Sequence, residues 1–382
     1  MKTQDINKLD LIIYNAFNQN VNEIHIEPNS ADVTVRYRFD GILKIGERFD
    51  FKTFEKLLEQ LKIMAGLSTT AKTPQAGRIL LSISDKKLDL RTSVIPSCNG
   101  DSICIRLLNL EKSKSFDINN IHLSDTNLKT LKRWYSKPSG MIIASGFTGS
   151  GKTTLLYSIL NELNKESVKI CTVEDPIEFQ VDGITQTAVN VREGMTFSST
   201  ARALLRQSPD IIYISEIRDS ETLNIAANCA ITGHLLLGSM YAENAISTIF
   251  RIKDMGIAPF LIRDCLSGVI TQRLVRKLCP DCRESYNAET FEFKGLQIPD
   301  TTYYKAHGCE KCHNLGYQGL IPICEFFEFS SATAQMFING CTEKEITEKA
   351  VSEGMKTFFD EAITMAVEGS TSLEEISRVL CS

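Results

Sequence analysis

The residues best equipped for chemistry stand together in GFTGSGKTT, Gly146–Thr154. Gly146, Gly149 and Gly151 let a loop curl until its N–H groups face a phosphate, and a helix starting near Lys152 adds its positive end. The backbone from Gly146 through Thr148, Gly149, Ser150 and Gly151 to Thr154 then cradles the phosphates. Lys152 reaches the β- and γ-phosphates, and the Thr153 hydroxyl is placed to hold Mg2+. Alone, such a loop says that ATP or GTP is bound.

Hydrolysis also needs carboxylates to hold the metal and orient water. TVEDPIEF places Glu174, Asp175 and Glu178 just after an apolar strand, at the sheet edge where ligands bind in parallel α/β folds. PDIIYISEIRD puts Glu216 after four apolar residues, the position of a Walker B acid. Each acid taken singly also reads as a solvated loop or helix cap. His234, in AITGHLLLG, reads either as a structural histidine or, in this setting, as a sensor of the γ-phosphate.

A second constellation is made of cysteines. Of twelve in the chain, four form the pairs Cys279/Cys282 and Cys309/Cys312, each Cys-x-x-Cys, with 26 residues between the pairs. Two such turns can build a closed, tetrahedral zinc site of structural type, with a cysteine sulfur at every corner. A redox pair or plain thiols are the alternatives, and His307 and His313 beside the second pair read as bystanders.

Elements must hold these groups in place. Leu9, Ile12, Ile13, Ala16 and Phe17 recur at helical spacing, and Phe54–Met64 reads as a second amphipathic helix. VTVRYRFDG alternates like a strand and ends in the hairpin signal Asp40-Gly41. Ile79–Ile83, Lys87–Ser93 and Ser102–Leu107 read as further strands. Residues 1–110 thus read as an α+β domain, and the polar stretch opening 111–125 as a linker. Met141–Ala144, Val168–Val173 and Ile211–Ile214 then alternate with helices such as Thr153–Leu163, the pattern of a parallel sheet in an ATPase core over 126–275. A tetracysteine subdomain (276–326) and a C-terminal helical part (327–382) complete the reading.

Composition narrows the function. The chain has 382 residues, 43% hydrophobic and 23% charged, with a net charge of -5, so no overall basic field collects nucleic acid. No stretch reaches the roughly 18 apolar residues of a spanning helix, and the start is no signal peptide. A cytoplasmic protein is expected, with any membrane association made through partners.

The ordered motifs resemble the secretion ATPases of type II secretion and type IV pilus assembly, over about residues 8 to 380. The P-loop, TVEDPIEF, SEIRDSET, ITGHLLL and MGIAPFLIRDCLSGVITQRLVRKLCPDC carry the likeness, with NEIHIEP, VRYRFDGIL, QAGRI, LDLRTSVIP and ICIRLL upstream. The resemblance implies an N-terminal α+β domain, a RecA-like P-loop domain, a small tetracysteine zinc subdomain and C-terminal helices. It also implies a homo-hexamer that works against a polytopic inner-membrane platform protein, at the cytoplasmic face of that membrane. By the same resemblance, Arg91 and Arg106, with Arg78 third, are the N-terminal arginines that reach nucleotide phosphates. Glu178 polarises the attacking water, with Glu174 and Glu216 around the metal. The tetracysteine element points to assembly rather than retraction, and the docking extension of longer members is expected to be absent.

Departures from the pattern are Phe147 for Pro in the P-loop, where only backbone is expected to matter, and Ser215 for Gly. Tyr241 and Ala242 replace His and Thr in SMYAEN. A DNA-uptake or conjugative-pilus motor remains an alternative, as does a nucleotide-binding regulator without turnover.

Overall fold

Short runs of β-branched and aliphatic residues, separated by glycine and asparagine turns, set the architecture. The computed structural model describes residues 7–83, 86–109, 116–287, 292–293 and 296–380. The chain divides into two units, Met1–Ser115 and Phe116–Ser382.

In the first unit, helix α1 (Lys8–Asn18) starts at Asn7, whose side chain accepts from the Asp10 amide, and buries Leu9, Ile12, Ile13 and Ala16. Strands β1 (Glu23–Pro28), β2 (Val33–Phe39) and β3 (Ile42–Phe49) follow, and Asp50 caps α2 (Phe51–Met64). Asp40 and Gly41 both adopt positive φ, 44° and 88°, the turn whose twist matches a hairpin. With β4 (Gln75–Ile83), β5 (Lys86–Ser97) and β6 (Gly100–Asn109), the strands form an antiparallel sheet ordered β3-β2-β1-β6-β5-β4.

The second unit begins inside the stretch read as linker. Phe116 and Ile118 are buried in its core, while residues 110–115 lie outside the described residues. The elements are α3 (Asp125–Tyr135), β7 (Gly140–Ser145), α4 (Lys152–Leu163), β8 (Ile170–Glu174), β9 (Ile184–Ala188), α5 (Phe197–Leu204) and β10 (Ile211–Ile214). There follow α6 (Ser220–Ile231), β11 (Leu235–Met240), α7 (Ala245–Asp254), α8 (Pro259–Cys265) and β12 (Leu266–Leu278). Short strands β13 (Glu284–Asn287), β14 (Glu292–Phe293), β15 (Leu296–Gln297) and β16 (Thr302–Lys305) precede β17 (Tyr317–Glu328). Helices α9 (Ser331–Ile338), α10 (Glu343–Ser352), α11 (Phe358–Val367) and α12 (Leu373–Leu380) close the unit.

Its main sheet runs β17-β12-β7-β11-β10-β8-β9, parallel except for β17. Alternation on β7 explains why helices cover both faces. Met141 and Ile143 enter one core with α5, α6 and α7, whereas Ile142 and Ala144 enter the other with α3 and α4. Met141, Ile142 and Ile143 each contribute on the order of 1.5–3 kcal/mol of burial. This is the α/β architecture expected of a RecA-like P-loop domain. Because β12 and β17 belong to this sheet, the cysteine region hangs between them as an insertion, and the boundaries read at 276 and 326 fall inside strands.

Candidate functional site

The loop after β7 is shaped by backbone that few residues tolerate. Gly146 has φ 135°, and a Cβ there would stand 2.5 Å from the Gln272 carbonyl oxygen. At Gly151, φ 89°, a Cβ would meet Gln272 Nε2 at 2.3 Å. Gln272, on β12, in turn donates from Nε2 to the Ser150 carbonyl at 2.7 Å. Beneath the loop the buried Ser145 hydroxyl contacts those of Thr248 and Thr271, 2.8 and 2.5 Å away. Gly151 caps α4 without a side-chain bond, so the helix presents its first N–H groups and positive end to the loop. Thr153 and Thr154 lie in that first turn.

Lys152 folds back over the loop and donates to the carbonyls of Gly146 and Phe147, at 2.7 and 2.9 Å. Its ammonium also sits 4.9 Å from the ring centre of Tyr241. Burial pushes the Lys152 pKa down to about 8, against the pull of the nearby Glu216 carboxylate. Glu216 follows β10, its side chain mostly buried and ion-paired with Arg218. That segment is fixed to β11, since Ser239 Oγ donates to the Ser215 carbonyl at 2.6 Å and the Ile217 amide to the Ser239 carbonyl at 2.8 Å. Tyr241, just past β11, brings its hydroxyl to 3.5 Å from Thr148 Oγ1. Lys152, Thr148, Glu216, Arg218 and Tyr241 therefore share the carboxyl ends of β7, β10 and β11, the edge where parallel α/β sheets take ligands.

Glu174 and Glu178 occupy different settings. Glu174 ends β8 and is 1% exposed. Its carboxylate accepts from Tyr157 at 2.5 Å, Thr172 at 2.6 Å and Gln186 at 3.1 Å. The placement of Glu174 beside the metal is thus corrected: its oxygens are engaged inside the fold, and it braces the loop that follows. Gln186 extends the brace, donating to the Phe179 carbonyl at 2.9 Å and accepting from the Val181 amide at 2.9 Å. Phe179 packs edge-on against Phe116 and Tyr157. Burial first, then the charges of Glu174 and Glu178, hold the Tyr157 phenol far above its ordinary pKa. Glu178 itself is half-buried within the braced loop.

His234 is the second correction. β11 runs parallel to β7, with Leu235 opposite Gly140 and Met240 opposite Ser145. His234 precedes β11 and so stands at the amino edge of the sheet, whereas the P-loop leaves the carboxyl edge. Its Nδ1 lies 3.0 Å from the Cys229 carbonyl oxygen, a bond within the turn after α6. A γ-phosphate sensor does not fit this position; Tyr241, at the other end of the strand, faces the loop.

In the first unit the three candidate arginines are side by side. Arg78 pairs in register with Arg91, Arg91 with Arg106, Arg106 with Glu23, and Glu23 with Arg38. Arg106 donates to Glu23 at 2.8 Å and Arg78 to the fully buried Asp89 at 2.7 Å. Burial opposes ionisation of Glu23, but Arg106 and Arg38 outweigh it and hold its pKa below the usual range.

The four cysteines of the insertion converge. Their sulfurs all lie within 4.8 Å, with Cys279–Cys309, Cys282–Cys312 and Cys309–Cys312 separations of 3.9, 3.8 and 3.7 Å. A zinc ion with bonds of about 2.3 Å in a tetrahedron requires sulfur spacings of about 3.8 Å, so this set fits the metal. The amides of Cys309 and Gly316 donate to Cys312 Sγ, each at 3.2 Å, and that of Gly308 to Cys282 Sγ at 3.4 Å, the outer bonds a thiolate cluster needs. His307 pairs instead with Glu284 at 2.9 Å.

Residues 3–378 match the family described as type II/IV secretion system protein. Type II secretion system protein E of Pseudomonas aeruginosa is 38% identical over 378 residues, which span 98% of this chain and 75% of that protein. The type IV pilus assembly ATPase PilB of Myxococcus xanthus is 36% identical over 378 residues, spanning 96% and 66%. Among solved structures, the Legionella pneumophila ATPase DotB superposes with a TM-score of 0.73 over 99% of this chain and 97% of that one, at 18% identity, a likeness of fold.

Proposed function

The chain belongs to the type II/IV secretion system protein family, and we propose that it is the hexameric motor of that family which drives pilin or pseudopilin assembly at the inner membrane. It is an ATPase, splitting ATP into ADP and phosphate. The observation that carries the reading is the convergence of the P-loop, Lys152 and Glu216 at one sheet edge, with the braced Glu178 loop following the neighbouring strand.

Backbone N–H groups of Gly146–Thr154 bind the phosphates, and Lys152 leaves the loop carbonyls to neutralise the β and γ groups. Thr153 and Glu216 would hold magnesium, which supplies positive charge to the phosphates when bound. Glu178 orients and polarises the attacking water. Arg91 and Arg106, with Arg78, contribute positive charge from the first unit; arginine suits this because its fork stays ionised and matches phosphate oxygens. The Cys279, Cys282, Cys309 and Cys312 cluster holds structural zinc, and this element favours assembly over retraction. The partner is a polytopic platform protein, through which a cytoplasmic ring meets the membrane face; direct binding of nucleic acid is not part of this reading. Among the described residues no helix is long and apolar enough to cross a membrane.

Phosphate release from Mg-ATP by the assembled protein tests this, with Glu178→Gln as the comparison. Turnover that Glu178→Gln abolishes while nucleotide still binds supports the assignment. An intact ring without magnesium-dependent hydrolysis would sink the motor.

A further inference from the structure

Phe147, exposed at the tip of the P-loop, does more than lend its backbone. The guanidinium carbon of Arg273, on β12, lies 5.5 Å from the centre of its ring and 5.1 Å from that of Phe358, the first residue of α11. The guanidinium thus lies within cation–π range of two phenyl rings, a contact its planar, delocalised charge favours. The same side chain donates from Nη1 to the carbonyl of Val379, in the last turn of α12, at 3.0 Å, where a cation also complements the helix dipole. Nη2 points toward the Glu243 carbonyl at 3.4 Å, in the segment that follows Tyr241. Nε is buried without a hydrogen-bond partner, a cost that a second arrangement of the side chain can relieve.

We propose that Arg273 is a positioning residue that couples nucleotide occupancy of the P-loop to the two C-terminal helices. The inference rests on the P-loop binding nucleotide and extends that reading to where the signal goes. Lys152 now bonds the Phe147 carbonyl. When phosphates draw Lys152 away, that carbonyl loses its partner and residue 147 reorients. Its ring bears on Arg273, and Arg273 bears on Phe358 and the end of α12. The connection is a contiguous chain of ring contacts and hydrogen bonds, one physical route by which coupling between sites is carried. The opposite end is firmly rooted: Glu325 accepts from the amides of Phe358 and Ala245, at 3.0 and 3.1 Å, binding the starts of α11 and α7 to β17.

Backbone hydrogen exchange of the full chain, with and without a non-hydrolysable ATP analogue and Mg2+, tests this. In the wild type the analogue should slow exchange across 372–380 by about fivefold or more, the lower range of measured couplings. Arg273→Lys keeps the charge but loses the planar fork, and Phe358→Leu keeps an apolar side chain without the ring. In both, the analogue should bind to within about threefold of wild type, measured separately by titration, while the protection of 372–380 disappears. Loss of coupling with retained binding distinguishes positioning from simple misfolding. Undiminished protection in Arg273→Lys, or none in a wild type that binds the analogue, overturns the proposal; failure of the wild type to bind would instead defeat the P-loop reading.

Discussion

The Gly140 amide donates to the His234 carbonyl at 3.2 Å, which fixes the histidine to the beginning of β7, the strand whose far end delivers Lys152. At about 3.3 Å per residue the strand alone spans roughly 16 Å, with the histidine at its start and the P-loop leaving its end. His234→Ala should therefore leave Mg-ATP affinity within about twofold and remove a side-chain bond of about 1 kcal/mol, seen as a small loss in thermal or denaturant stability. A nucleotide titration alongside a melting curve checks both. Loss of ATP binding with unchanged stability would restore the sensor.

Much of the phosphate site was legible because its chemistry is local. The P-loop, its strand and its helix are contiguous, and Glu216 follows its strand directly. His234 has the chemistry of a sensor but precedes its strand. In a parallel sheet only the residue after reaches the ligand edge, and counting through Leu235–Met240 leads to Tyr241. Gln272, Arg273 and Gln186 gave no such signal: Gln272 is 122 residues from the Ser150 it supports, and no spacing reveals a partner brought close only by folding. The first-unit arginines were readable as candidates, but their alignment across neighbouring strands depends on register.

Lys152 supplies a pH test. Burial holds its free-state pKa near 8, and a bound polyphosphate must raise it, because negative charge favours the ammonium. Binding then takes up a proton as pH rises past that value. Affinity for Mg-ATP should be flat below about pH 7 and fall up to tenfold per unit above about 8, a slope set by one proton. Tyr241→Ala removes the ring beside the ammonium and exposes it, shifting the break to higher pH; Tyr241→Phe keeps the ring and the wild-type profile. Nucleotide titrations from pH 6.5 to about 9.5 provide the measurement. An unshifted break in Tyr241→Ala would show that the ring does not help to bury the lysine.

Glu174 and Glu178 should part company on mutation. Replacing Glu174 by Gln sets an amide N–H against at least one of the donors from Tyr157, Thr172 and Gln186, at a cost of about 1–3 kcal/mol. Turnover should fall through loosening of the loop, while the magnesium concentration for half-maximal activity stays put, because this carboxylate is turned into the fold. A large rise in that magnesium requirement would return Glu174 to the metal.

The zinc assignment predicts about one zinc per chain by elemental analysis. Its removal should act on stability, because the cluster sits where the insertion joins the main body. The Cys279 amide donates to the Gly316 carbonyl at 2.9 Å, and the preceding Leu278 amide to the Ser370 carbonyl, ahead of α12, at 2.9 Å. Arg276, two residues earlier, donates to the fully buried Glu375 of α12 at 2.6 Å. Cys282→Ser leaves three sulfurs and opens the tetrahedron, so zinc content should drop together with the melting temperature, and strong chelators should destabilise wild type but not the variant. Among the described residues the ATP site draws no side chain from the insertion, so nucleotide affinity measured well below the melting point should survive. Metal-stripped protein that melts at the wild-type temperature would leave the cysteines without a structural role.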